Sequence, residues 1–268
     1  MSTDADSRVF VVLPSKDEEP NLARLLPRIA DTAEDLASLR RIEVVVVDDG
    51  STDGSAALLD RLDRELPIDI EVVTHERNLG LGASLRDGLL AALRRADADD
   101  VVVTMDADDS HPPRLIPDLL ARLDEGCDVA IASRFVPGAE IHGVPWFRRL
   151  TGRGASWLFG LLLPVAGASD YTCGYRAYRA GLLQRAFDRL GDGFIQEPGF
   201  SCMLETLSQL SALEKPQVGE APLVLRYDRK EGPSKMRVAA TIAASLRLAW
   251  RRRILREGAL AEGLGPPA

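Results

Sequence analysis

The chain has 268 residues, and its 33 Lys and Arg against 41 Asp and Glu leave a net charge of −8, with 46% hydrophobic and 28% charged residues. That balance describes a soluble globular chain able to bury a sizeable core, and it excludes nucleic-acid binding, which needs clustered cations. It has no run of the roughly 20 apolar residues that span a membrane, no signal-peptide core in "MSTDADSRVF", and only three scattered cysteines (Cys127, Cys173, Cys202), so a cytoplasmic protein without a disulfide framework or zinc site is expected.

Runs rich in Val and Ile predict strands from Arg8, Ile42, Ile70, Asp100 and Asp128. They are apolar at nearly every position, as strands buried on both faces are. Helical spacing of leucines predicts helices over Pro20–Leu36, Thr52–Leu66, Leu81–Ala96 and Pro112–Glu125. Ser51 or Thr52 can cap the second, and Pro112 and Pro113 suit the start of the fourth. Alternation of this kind implies a mostly parallel sheet flanked by helices, an α/β fold. Beyond Gly138 the pattern changes. The stretch "VPWFRRLTGRGASWLFGLLLPVAGAS" reads as a buried or interfacial helix. A helix over Phe200–Leu213, a strand near Glu220–Tyr227 and a last helix over Lys235–Glu257 follow, with a disordered tail at 258–268. Segment 226–257 carries ten basic against three acidic residues, so positive charge gathers at one end of an acidic chain. A basic, Trp-containing helix there can lie on an anionic membrane surface, or simply pack its apolar stripe on the domain.

Ligands of parallel sheets bind beyond the carboxyl ends of strands. Four polar segments fall at such ends: Pro14–Glu19, Asp48–Asp53, Asn78–Gly82 and Asp106–Ser110. Carboxylates crowded on one edge repel one another unless a cation or ligand joins them. In "VTMDADDSHPP", Asp106 and Asp108 flank one residue directly after a buried strand, and hard cations such as Mg²⁺ and Mn²⁺ prefer such oxygens. An isolated pair of this kind is more often a capped turn, and His111 before two prolines reads as structural. In "VVVVDDGSTDGS", a carboxylate at Asp48 or Asp49 can accept hydrogen bonds from a ribose or a base. "NLGLGASL" lacks the third glycine of a dinucleotide fingerprint, with Leu85 in its place, and reads as a tight loop of close approach. Arg134, Arg149, Arg153, Arg176, Arg229 and Lys235 lie near small-residue turns, where guanidinium and ammonium groups clamp anions.

The order of "VVLPSKDEEPNL", "VVVVDDGSTDGS", "RNLGLGASLRDGL", "TMDADDSHPP", "IASRF", "DYTCGYRAY", "GFSCMLETL", "VGEAPL" and "GPSKM" resembles that of inverting family 2 glycosyltransferases with the GT-A fold. Within these it is most similar to the dolichol- or polyprenyl-phosphate mannosyltransferase group. The resemblance runs from about Val9 to Met236. It implies one GT-A domain over 1–234, with a nucleotide-binding half (8–137) and an acceptor half (138–234), before the basic helix at 235–257. It implies a donor nucleotide held by Pro14, Ser15, Asp17, Glu18, Asp48, Asp49, Gly82 and the Asp106-Ala107-Asp108 triplet. Mg²⁺ or Mn²⁺ would sit on Asp106 and Asp108, with Ser110 as an extra ligand. Asp106, Asp108, Arg134, Arg229 and Lys235 would carry catalysis. Arg149, Arg153, Asp170, Arg176, Glu205 and Ser234 would shape the acceptor and phosphate side.

The implied reaction moves mannose from GDP-mannose, a nucleotide-sugar donor, to a polyprenyl or dolichyl phosphate. A membrane surface or a membrane-anchoring partner would bring in the lipid, which makes a peripheral position at the cytoplasmic face the expectation. Another nucleotide sugar with a lipid-phosphate or soluble acceptor, and a nucleotide-sugar-binding regulatory subunit without turnover, are the competing readings. The sequence departs from the family's habit at Ser15, Lys16-Asp17, Asp109, Cys173 and Met203. At position 109 an apolar residue is common.

Overall fold

The computed structural model describes residues 7–229, 243–248 and 250. Side chains alternate across a strand, so a run apolar at nearly every position needs cover on both faces. Such runs form β1 (Arg8–Ser15), β2 (Arg41–Asp48), β3 (Asp69–Thr74), β4 (Val101–Thr104) and β5 (Val129–Ser133). Helices α1 (Glu19–Leu36), α2 (Ser55–Glu65), α3 (Leu81–Leu93) and α4 (Ile116–Asp124) supply that cover. Leu22, Leu25, Leu26 and Ile29 of α1 are fully buried at helical spacing. Each such side chain contributes about 1.5–3 kcal/mol. Gly88 lets α3 press onto the sheet, because a Cβ there would lie 2.6 Å from Val12 and 2.8 Å from Val47.

The seven-stranded sheet has the order β3-β2-β1-β4-β7-β5-β8. β2 and β4 both pair with β1 in parallel, and β3 pairs with β2 in parallel. The chain therefore builds outward from β1 to β3, then returns past β1 to lay β4 on its other side. The reversal leaves a crevice at the carboxyl ends of β1 and β4, the switch point at which open α/β sheets take their ligands.

The second half of the chain adds β6 (Glu140–His142), α5 (Trp146–Leu162), β7 (Arg176–Arg179), α6 (Ala180–Leu190), α7 (Cys202–Leu213), β8 (Val218–Pro222) and β9 (Val224–Arg226). β7 enters the sheet antiparallel to both β4 and β5. Its direction carries segment 171–175 to the crevice end of β4, where the Thr104 hydroxyl donates to the Gly174 carbonyl (2.7 Å).

Several expectations are corrected. The single strand near 220–227 divides at Leu223, β8 pairing with β5 and β9 with β6. Helix α2 starts at Ser55 rather than Thr52, with the Asp53 carboxylate accepting from the Ser55 N–H. Ser51 instead accepts from the Asp17 N–H. Of the last predicted helix, 243–248 and 250 are helical; its remainder, Ser234, Lys235 and the tail lie outside the described residues.

Candidate active site

Loops leaving β1 and β2 are laced together at the crevice. Asp17 has a left-handed backbone (φ 49°), unusual for a non-glycine residue. Its carboxylate accepts from the Thr52 N–H (2.7 Å) and hydroxyl (3.2 Å), while its own N–H donates to Ser51. The Lys16 ammonium at 2.7 Å, together with the Thr52 N–H, holds the Asp17 carboxyl down to about 2. This carboxylate is therefore engaged in joining two loops. The buried Asp48 accepts from the Ser51 N–H (2.9 Å), and the buried Glu18 from the Asn21 amide (2.5 Å). Ser15 ends β1 opposite Asp48, and its hydroxyl is buried with no hydrogen-bond partner among the described residues. Pro14 is half-buried beside it.

The turn after β4 presents the acidic pair. The Asp106 N–H donates to His111 Nδ1 (3.1 Å), so Nδ1 is the acceptor and Nε2 carries the proton. That nitrogen lies 3.9 Å from Asp106 Oδ2, while the ring stacks on Tyr175 with centroids 5.1 Å apart. His111 is thus a brace for the turn. Asp108 Oδ1 accepts from the Ser110 hydroxyl (2.6 Å) and N–H (3.1 Å). Ala107 between the two acids is buried in the core. The Arg226 N–H donates to the Ser110 carbonyl (2.9 Å), which brings the exposed Arg229 to the same end of the sheet.

Two carboxylates and a hydroxyl are hard oxygen donors of the kind Mg²⁺ and Mn²⁺ accept. Among the described residues no group of three or more His, Cys, Asp or Glu is placed to enclose a metal. The residues therefore fit a cation that shares its coordination with ligand oxygens, the usual arrangement at diphosphate sites.

Beside the turn, Arg134 grips the fully buried Asp170. Its Nε donates to Oδ2 (2.7 Å) and Nη2 to Oδ1 (2.6 Å), and Nη2 also reaches the Thr172 hydroxyl (2.6 Å). Burial alone would raise the Asp170 pKa, but Arg134 and the Arg134 and Thr172 N–H donors hold it below the ordinary carboxylate range. Burial of the adjacent Cys173 pushes its thiol up to about 12, so it is no thiolate at neutral pH.

Other expected site residues are used differently. Arg176 is fully buried and donates to the carbonyls of Met203 (2.7 Å) and Tyr171 (2.8 Å), so it holds α7 rather than clamping an anion. Asp49 faces the next loop, accepting from the Leu79 and Gly80 N–H groups (2.7 and 2.9 Å) and pairing with His75. Burial works against its ionised form, yet those donors keep its pKa below the ordinary value. Gly82 is a point of close approach, but to the chain itself: a Cβ there would lie 1.9 Å from the Glu197 carbonyl oxygen. Gly82→Ala is expected to lower the melting temperature by several degrees, about 1–3 kcal/mol of overpacking, in a thermal melt. Glu205 accepts from the Gln196 and Glu197 N–H groups (2.8 Å each), fixing that same segment against α3. Arg149 and Arg153 are exposed on α5, Arg149 donating to the Val144 carbonyl and Arg153 lying over the Phe135 ring.

Sequence reasoning missed one feature at the turn. Asp109 is buried in a left-handed conformation (φ 58°), ion-paired with Arg28 and 3.7 Å from Arg24 Nε. The signal was available: an acid at a position where an apolar residue is common, facing two arginines one helical turn apart.

Residues 10–187 match the model of the Glycosyl transferase family 2. The chain belongs to that family. The matched stretch runs from Phe10 in β1 through most of α6, hence the crevice and the Asp106–Ser110 turn; Glu205 and Arg229 lie beyond it. Among family 2 relatives, the polyprenol monophosphomannose synthase of Mycolicibacterium smegmatis is 38% identical over 66% of this chain and 64% of its own. The dolichol-phosphate mannosyltransferase of Pyrococcus furiosus is 32% identical over 66% of this chain and 47% of its own. This chain thus spans less than two thirds of the first and about half of the second. The undecaprenyl-phosphate mannosyltransferase of Micrococcus luteus is 32% identical over 85% of this chain and 87% of its own. In fold the chain is similar to glucosyl-3-phosphoglycerate synthase of Mycobacterium tuberculosis, crystallised with Mn²⁺, UDP and glucosyl-3-phosphoglycerate. That likeness has a TM-score of 0.63 at 20% identity, covering 92% of this chain and 79% of that one. The family 2 chain has the GT-A architecture.

Proposed function

We propose that this chain is an inverting, divalent-metal-dependent glycosyltransferase that moves mannose from GDP-mannose to a polyprenyl or dolichyl phosphate. The observation that carries the reading is the Asp106–Asp108 turn at the β1–β4 switch point, in a chain whose family 2 relatives are named for mannosyl transfer to polyprenyl phosphates. Ser15, Asp48 and Glu18, at or just beyond the carboxyl ends of β1 and β2, would hold the nucleoside, and Asp106 and Asp108 would hold Mg²⁺ or Mn²⁺ at the diphosphate. When bound, the cation neutralises charge growing on the departing nucleoside diphosphate. Arg229, exposed at the same end of the sheet, would add positive charge there, with Lys235 outside the described residues. The Arg134 guanidinium is fixed in place by its pair with Asp170 near Asp106. A phosphate monoester acceptor is largely dianionic at neutral pH, so attack on the anomeric carbon needs no protein base. No residue is assigned that role.

The lipid acceptor requires an approach to a membrane surface, and α5 is suited to it. Trp146, Leu150, Trp157 and Leu161 recur along one face and are 60–75% exposed, with Arg149 and Arg153 among them. Among the described residues no helix is long and apolar enough to cross a membrane. An exposed aromatic row interleaved with arginine matches the boundary of an anionic bilayer. Replacing both Trp146 and Trp157 by Ser is expected to weaken binding to anionic vesicles on the order of tenfold in a flotation assay, as buried aromatic area is lost. Unchanged flotation would leave α5 outside the contact.

Incubation with labelled nucleotide sugars and a short polyprenyl phosphate tests the whole reading. Label in the lipid phase supports it. Label only in a soluble acceptor, or donor binding without release of nucleoside diphosphate, overturns it.

A further inference from the structure

Asp109 has no part in the chemistry above, yet it occupies a costly position. Its carboxylate is 3% exposed, and its backbone is left-handed (φ 58°). A buried carboxylate needs charged partners or hydrogen-bond donors to offset its desolvation. Arg28 and Arg24, one turn apart on α1, supply them. The connection continues beyond the ion pair. Arg24 Nη2 donates to the Asn21 side-chain amide oxygen Oδ1 (2.7 Å), and Asn21 Nδ2 donates to Glu18 Oε2 (2.5 Å). The same Arg24 nitrogen reaches the Arg229 carbonyl at 3.4 Å. Ala23, Arg24, Pro27, Arg28, Asp109 and Arg229 line an open surface depression of about 610 Å³.

The path therefore runs from the turn that carries Asp108 to the acid that ends the β1 loop. Burial lowers the Arg28 pKa, Asp109 opposes that shift, and Arg229 and Arg114 add to it. Removing the carboxylate would leave these cations facing one another, and the turn would lose its tie to α1.

We propose that Asp109 is a positioning residue: through Arg24 and Asn21 it fixes the Asp106–Asp108 turn relative to Glu18, so that the cation and the nucleoside are held in one frame. The inference rests on the assignment of Asp106 and Asp108 to a divalent cation and of Glu18 to the donor nucleoside.

The test is Mn²⁺ affinity in the presence of GDP, and separately of UDP, followed by electron paramagnetic resonance of free Mn²⁺ in the full chain. Asp109→Asn and Arg24→Gln are each expected to weaken Mn²⁺ binding roughly tenfold, with the double variant no worse than either alone. In turnover the shift is expected in the metal activation constant rather than in kcat. A purely structural contact would lower the melting temperature and leave Mn²⁺ affinity unchanged, which overturns the proposal. Additive losses in the double variant overturn the path through Arg24. Should Asp109→Asn fail to fold, Arg24→Gln decides alone, since Arg24 is 38% exposed. If the wild type binds Mn²⁺ with nucleotide but transfers no sugar to lipid, the functional reading fails and the Mn²⁺ affinities still judge Asp109. If it binds no Mn²⁺ with either nucleotide, both fall.

Discussion

Asp108→Ala is expected to cut transfer by on the order of 10²- to 10³-fold while the protein stays folded. Asp108 closes its turn by accepting from the Ser110 N–H and hydroxyl, and it sits beyond the end of β4 rather than in the sheet. Its loss leaves those donors without that acceptor, at about 1–3 kcal/mol. That is tolerable for a core built on β1, β2 and β4. Under the proposed function, what the turn cannot replace is the hard oxygen that would hold the cation. Comparison of kcat/KM with the thermal melt separates the two effects. Near-normal activity would place the cation elsewhere.

Asp170→Ala is expected to produce the largest loss of stability, about 3–5 kcal/mol in a denaturant titration, because it strands Arg134. Asp170 is fully buried, accepts two hydrogen bonds from the Arg134 guanidinium, and ties down the N–H groups of Arg134, Thr172 and Cys173. The pH dependence has a definite sign. The folded carboxyl titrates below its unfolded value near 3.9, so its stabilisation is present above that pH and fades as the pH falls through the folded value. Asp170→Asn should be less stable than the wild type at pH 7, and the gap should narrow below about pH 4. Equal stability at pH 7 would show that the pair is not holding the segment.

The fold was readable wherever one physical cause dominated. The short Val- and Ile-rich runs of β1 and β2, bounded by turn residues, read as strands covered on both sides, and leucines at helical spacing place α1 and α2 beside them. The turn after β4 was readable as a polar strand end, since Asp106 and Asp108 follow a buried strand; its use for a cation belongs to the proposed function. β7 was hidden because "RAYR" is four residues with an arginine at each end, and its place in the sheet comes entirely from β4 and β5. Charge misled at Arg176, where the partners are carbonyls of Met203 and Tyr171 and the surroundings are core. Gly82 read correctly as a point of close approach, but the approaching group is the Glu197 backbone, far away in sequence. Asp49 and Asp48 are neighbours in sequence and point to different tasks, because successive side chains leave a strand end in different directions. The use made of a polar side chain depends on what long-range packing brings to it, and local pattern carries little of that.

The most direct measurement is transfer from GDP-[¹⁴C]mannose to a short polyprenyl phosphate with Mg²⁺ or Mn²⁺, read as radioactivity in the lipid phase. Predicted is a lipid-linked mannose that disappears with chelator, returns when the cation is restored, and falls sharply with Asp108→Ala. Lipid product insensitive to both chelator and Asp108→Ala, or no lipid product under any of these conditions, would contradict metal-dependent mannosyl transfer to a lipid phosphate.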